Sequence, residues 1–198
     1  MLTVFVDVDT QLDFLLPAGA LYVPGAERLI PVIARLNQFA AGVGIPLLST
    51  TDAHRENDPE FRDWPPHCVA GTTGQHKACE TLLDNRSTLA MHAGAPIGLT
   101  PQIVIEKQSL DVFANPNFTP LLARLNADRY VVYGVATDYC VSIAARGLLR
   151  TGKPVSIVTD AIAAVKAEDG VRALEEFVAR GGTLTTVNAV CAASSGTV

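Results

Sequence analysis

The stretch RYVVYGVATDYCVSIAARGLLRTG, residues 129–152, decides the fold. Its first half, RYVVYGVA, is a continuous apolar run of the kind that forms a strand buried on both faces. After Thr137 and Asp138 the pattern turns helical and runs to Gly152, with Cys140 placed in the first turn. Free cysteine is among the most buried residue types, so Cys140 has two readings, a core thiol or a nucleophile. The surrounding sequence has to separate them.

Working outward, short apolar runs alternate with helical patterns. LTVFVDV and IPLLSTT read as strands, and GAERLIPVIARLNQFAAGVG between them reads as a helix with Leu29, Ile30, Ile33, Leu36 and Phe39 on its apolar face. Pro31 falls near its first turn, where proline is tolerated best. An irregular polar stretch follows to about Gln75, and HKACETLLDN has the pattern of a short helix. Further on, QIVIEK, PVSIVTDAI and TLTTVNAV read as strands, NFTPLLARLN and EDGVRALEEFVARGG as helices. STLAMHAGAPIGLT fits no element clearly. The expectation is an α/β fold: a parallel β-sheet of about six strands with helices on both faces, in one domain over residues 1–198.

The totals narrow the function. The chain has 198 residues, 48% hydrophobic and 18% charged, enough for a sizeable core. A formal charge of -5 without any Lys/Arg-rich cluster argues against nucleic acid or an anionic membrane as partner. The start, MLTVFVDVDTQ, lacks the pattern of a signal peptide, and no run approaches the length of a membrane span, so a cytoplasmic protein is expected. Four scattered cysteines without a CxxC pair are expected to be free thiols.

In a parallel sheet, ligands bind outside the carboxyl ends of the strands. Three such ends carry chemistry here: Asp9, Lys107 and Cys140. A helix N-terminus and a neighbouring lysine would each lower the thiol pKa, and the carboxylate would serve as base. A second constellation lies in TDAHRENDPEFRDWPPHCVAGTTG, residues 51–74. Asp52 and His54, two apart in extended backbone, project to one side, and His67 follows. An Asp/His/His set suits a divalent ion such as Zn²⁺, Mn²⁺ or Fe²⁺, with positions left for water or substrate.

VDVDTQLDF with PAGALYVPGAE, then TDAHR, WPPHCVAGTTG, IEKQ and GVATDYCV, in this order and spacing, resembles the nicotinamidases of the isochorismatase-like cysteine hydrolases. The resemblance spans residues 4–164 and implies an α/β sandwich. By motif matching it makes Cys140 the nucleophile, Asp9 rather than Asp7 or Asp13 the catalytic acid/base, and Lys107 their partner. It places metal ligands at Asp52, His54 and His67, with Glu60 or Asp63 as an extra ligand in some members. Phe14 and Trp64 match aromatic residues flanking the substrate ring, and Phe113 is the match for a further one. Ala136 and Cys140 match the N–H donors of an oxyanion hole, next to a cis peptide bond. The implied substrate is a small amide, nicotinamide first, with another amide or carbamoyl compound, or a non-catalytic binding role, as alternatives; a homo-oligomer is compatible. QSLDVFANPNF departs from the family's D-x-Y-S-A-F-like segment, which bears on the substrate. Residues 84–100 also depart, and read as a lid or a subunit contact.

Overall fold

The computed structural model describes residues 1–193 and contains one parallel sheet of seven strands. In chain order these are β1 (Thr3–Val8), β2 (Leu47–Asp52), β3 (Arg86–Leu89), β4 (Gln102–Lys107), β5 (Arg129–Val135), β6 (Val155–Ala163) and β7 (Thr183–Thr185). Across the sheet the order is β3-β4-β2-β1-β5-β6-β7. The helices are α1 (Leu12–Leu15), α2 (Ile30–Gly42), α3 (Phe118–Leu125), α4 (Ser142–Leu149), α5 (Ala167–Ala179) and α6 (Val187–Ala193). One face packs under α2 and α6 through Phe5, Ile33, Leu36, Tyr133 and Val187. The opposite face packs under α3, α4 and α5 through Val6, Ile105, Phe118, Leu148 and Phe177.

Every residue of β1 and β2 is buried, which is why both read as continuous runs rather than alternating ones. Burying one Val, Leu or Ile side chain fully is worth about 1.5–3 kcal/mol, so these central strands anchor the sheet. Gly134 sits at φ +116°, and a Cβ there would collide with the Val8 backbone of the neighbouring strand. The glycine therefore lets β5 and β1 close up just before their ends.

Four expectations need correction. The sheet has seven strands, one more than the six runs read above, because RSTL, most of it in the stretch that fitted no element, pairs with β4 as a short edge strand. Residues 90–94 just beyond it are pinned rather than lid-like: Asn117 Nδ2 donates to the Ala90 and His92 carbonyls, and the Gly94 N–H donates to Asn117 Oδ1. The HKACETLLDN helix shrinks to one 3₁₀ turn, Cys79–Thr81, because Lys77 is held extended by a bridge to Gln11. TLTTVNAV holds only three strand residues; Asp160 Oδ1 accepts the Val187 N–H at 2.8 Å and starts α6 there. Among the described residues, no helix is long and apolar enough to cross a membrane.

Candidate active site

The order β4-β2-β1-β5 sets the ends of four adjacent strands side by side, bringing Lys107, Asp52, Asp9 and Cys140 together. Asp52 and Lys107 are register partners. This is also where the chain switches from building one side of the sheet to the other, the usual ligand position in such folds. All four residues are buried.

Lys107 is the hub. Its ammonium lies 2.9 Å from Asp9 Oδ2, hydrogen-bonds Asp52 Oδ1, and donates to Cys140 Sγ at 3.6 Å. Burial alone would push its pKa down, but the Asp52 and Asp9 carboxylates override that and hold it well above the ordinary lysine value. It is a fixed cation. Asp9 stands just past β1 with φ 49°, a left-handed conformation uncommon outside glycine. Thr50 holds it there: the hydroxyl donates to Asp9 Oδ1 at 2.6 Å and accepts the Asp9 N–H at 3.1 Å.

Cys140 differs from expectation in two ways. It lies in a wide irregular turn, Thr137–Val141, whose Tyr139 has non-helical backbone angles, and regular helix begins only at Ser142. The Val135–Ala136 peptide before it is cis. Second, the thiol pKa is raised, not lowered: burial dominates, Lys107 pulls down, and the Asp9 and Asp52 carboxylates push up again. Unassisted, Cys140 rests as a thiol, so ionising it requires a base at the site.

On the far side of Asp52, ligand atoms of Asp52, His54 and His67 all lie within 4.8 Å of one another. The His67 Nδ1–H donates to the Pro65 carbonyl at 2.8 Å, which leaves Nε2 as the free lone pair. Burial lowers the His67 pKa and keeps that ring neutral at pH 7. His54 Nε2 is buried without a hydrogen-bond partner. Burial raises Asp52 to about 7, with Lys107 pulling it back and Asp9 pushing it further up. Two carboxylates against one ammonium leave excess negative charge in a buried place. An orphaned imidazole nitrogen beside it fits a divalent cation.

A pocket opens between the two constellations, lined by Asp9, Asp52, Glu60, His67, Ala136 and Cys140 on its polar side. Phe14, Trp64, Tyr139 and Leu110 are among its apolar walls, and Trp64 meets Tyr139 edge-on at 5.3 Å. Phe113 is elsewhere: it packs on Phe118 at 4.9 Å and against Gly147, where a Cβ would collide with its ring. From the divergent QSLDVF segment, Leu110 faces the cavity instead. Glu60 lines the cavity, Asp63 does not, and neither does any residue of 84–100.

The sequence reading missed several supporting residues. Gln11 clamps the Asp52 backbone, its Oε1 accepting the Asp52 N–H at 2.6 Å and its Nε2 donating to the Asp52 carbonyl at 2.9 Å. Asp13 accepts the N–H groups of Ala20 and Cys68, tying the loop after α1 to the His67 loop. Asp7 is enclosed with Thr10, Asn37, Ser49 and Lys77, away from Cys140.

Comparison with known proteins identifies the family. Residues 95–189 match the isochorismatase domain. The nicotinamidase/pyrazinamidase of Mycobacterium tuberculosis is 32% identical over 182 residues, covering 86% of this chain and 91% of that protein. The chain belongs to the isochorismatase-like hydrolase family. The Escherichia coli nicotinamidase is 27% identical, with 91% of this chain and 92% of that one covered. The hydrolase also superimposes on the pyrazinamidase of Pyrococcus horikoshii, solved in complex with zinc, with TM-score 0.78 and 29% identity over 93% of this chain and 98% of that one.

Proposed function

We propose that this hydrolase converts nicotinamide to nicotinate and ammonia through a thioester on Cys140. The observation that carries the reading is one buried ammonium, Lys107, in reach of both a carboxylate and a thiol at the floor of the cavity. Asp9 takes the Cys140 proton, and the thiolate forming beside Lys107 attacks the amide carbon. The carbonyl oxygen gathers negative charge and is received by the N–H groups of Ala136 and Cys140. As the C–N bond breaks, Asp9 returns the proton to the leaving ammonia. Water, deprotonated by Asp9, then cleaves the thioester, frees the acid and restores the thiol.

Asp52, His54 and His67 would hold a divalent ion, zinc or else manganese or iron, which when bound would take the pyridine nitrogen and so orient the ring. Phe14 and Trp64 would flank that ring, with Leu110 and Tyr139 completing the wall. The lining supports a flat aromatic amide. Leu21, Val23 and Leu110 add apolar surface to the Phe14 and Trp64 walls, which suits a ring better than a small, strongly hydrated carbamoyl amino acid. The reading places the protein in cytoplasmic NAD salvage.

The test is a choice of substrates. Nicotinamide and N-carbamoylglycine, each offered to the zinc-supplied protein at equal concentration, should yield nicotinate from the first and almost nothing from the second. Faster turnover of the carbamoyl acid would reverse the substrate reading while keeping the hydrolase.

A further inference from the structure

Asp58 has been given no role above, yet its carboxylate has two separate tasks. Oδ1 accepts the Glu60 N–H at 3.0 Å and caps the 3₁₀ turn Pro59–Arg62. Oδ2 lies 3.1 Å from His54 Nδ1. That is hydrogen-bond distance, although the ring is not aligned for a full hydrogen bond. The other ring nitrogen, Nε2, is the one that faces Asp52, at 4.0 Å from Oδ2. The His54 ring is fully buried, packed edge-on against His67 at 4.8 Å and tilted against Phe61 at 5.3 Å between ring centres. Those neighbours leave it little room to turn, so its proton, not its position, is the remaining variable.

We propose that Asp58 is a positioning residue for the metal triad, holding His54 in the Nδ1–H form so that Nε2 presents its lone pair to a divalent cation. The inference rests on the triad reading. A neutral imidazole carries one proton, and whichever nitrogen carries it cannot ligate. A carboxylate only accepts, so it draws the proton to Nδ1. His67 reaches the same state by another route, its Nδ1–H going to the Pro65 carbonyl. Two different acceptors thus turn both Nε2 atoms inward, the usual arrangement around a metal-bound histidine. Because the same carboxylate caps the turn that leads to Trp64, the metal side and the aromatic wall of the cavity share one anchor.

Asp58→Asn tests this directly. With its single oxygen kept on the Glu60 N–H, the amide turns an NH₂ toward His54 Nδ1, and donor facing donor moves the proton to Nε2. Long-range ¹H–¹⁵N spectra of the metal-free protein should show His54 as Nδ1–H in the native chain and Nε2–H in the variant. Zn²⁺ affinity, measured by competition with a chromophoric chelator, should fall about 10–100-fold. Asp58→Ser separates the roles, because serine caps a helical turn well but is too short to reach His54. It should keep the fold and bind Zn²⁺ as weakly as the asparagine variant.

Zn²⁺ affinity within about twofold of native in Asp58→Asn, or full recovery in Asp58→Ser, would overturn the role given to Asp58 and leave the triad standing. A native protein that takes up no Zn²⁺, Mn²⁺ or Fe²⁺ would overturn the triad reading and this inference with it. Neither readout involves turnover, so both stand apart from the substrate assignment.

Discussion

Replacing Thr50 by valine tests how Asp9 is held in place. The side chains are nearly the same shape, and Thr50 is buried within β2, so the change removes a hydroxyl and little else. That hydroxyl donates to Asp9 Oδ1 at 2.6 Å and accepts the Asp9 N–H at 3.1 Å. A hydrogen bond to a charged group is worth about 1.5–3 kcal/mol. If that energy is lost in the transition state, where Asp9 must accept and return a proton, kcat falls about 10- to 150-fold at ~1.36 kcal/mol per tenfold. KM should hold, because Thr50 does not line the cavity. The same loss should lower Tm by about 3–12 °C, taking about 2–4 °C per kcal/mol for a domain of this size. Thr50→Ser keeps the hydroxyl and should recover most of kcat. The assay is steady-state ammonia release from nicotinamide, beside a thermal melt. A kcat within twofold of native in Thr50→Val, or equal damage in Thr50→Ser, would refute the reasoning.

Asp9→Asn should abolish turnover in a folded protein. Asp7→Asn should instead cost about 3–5 kcal/mol of stability by stranding buried Lys77, with turnover per folded molecule largely kept, as urea melts and kcat together would show. Phe113→Ala should lower stability by about 3 kcal/mol and leave KM alone, whereas Leu110→Ala should raise KM about tenfold; the opposite pattern would return Phe113 to the substrate wall. Because burial raises the Cys140 pKa, the thiol keeps its proton at pH 7, so alkylation of Cys140 in the metal-free protein should keep accelerating from pH 7 to 9. A rate already level at pH 7, followed by mass spectrometry of the labelled peptide, would contradict that direction.

The central sheet was legible because β1, β2 and β5 are buried on both faces and so spell themselves as apolar runs. Strand ends then follow, and Asp9, Lys107 and Cys140 with them. The edges were less legible for physical reasons. RSTL buries only Leu89 fully and gains its pairing only from β4. The start of α6 depends on Asp160, 27 residues away, which no local pattern reveals. At the site, Thr50, Gln11 and Asp58 act through hydrogen bonds and contacts set by strand register and loop closure. Asp58 is the exception with a local trace: an aspartate before proline, two residues ahead of Glu60, is a capping signal that could have marked the turn. The expectation for Phe113 rested on a loose match, and three residues separate that half-buried aromatic from Leu110 on the cavity wall.

The most direct test of the account is ammonia release from nicotinamide by the zinc-supplied native protein and by Cys140→Ala, with circular dichroism to establish that both are folded. Release by the native protein and none by the variant is the predicted result, since in the proposed reaction the Cys140 thiol forms the bond to the amide carbon. Equal release from a folded Cys140→Ala would contradict the thioester and return Cys140 to the core.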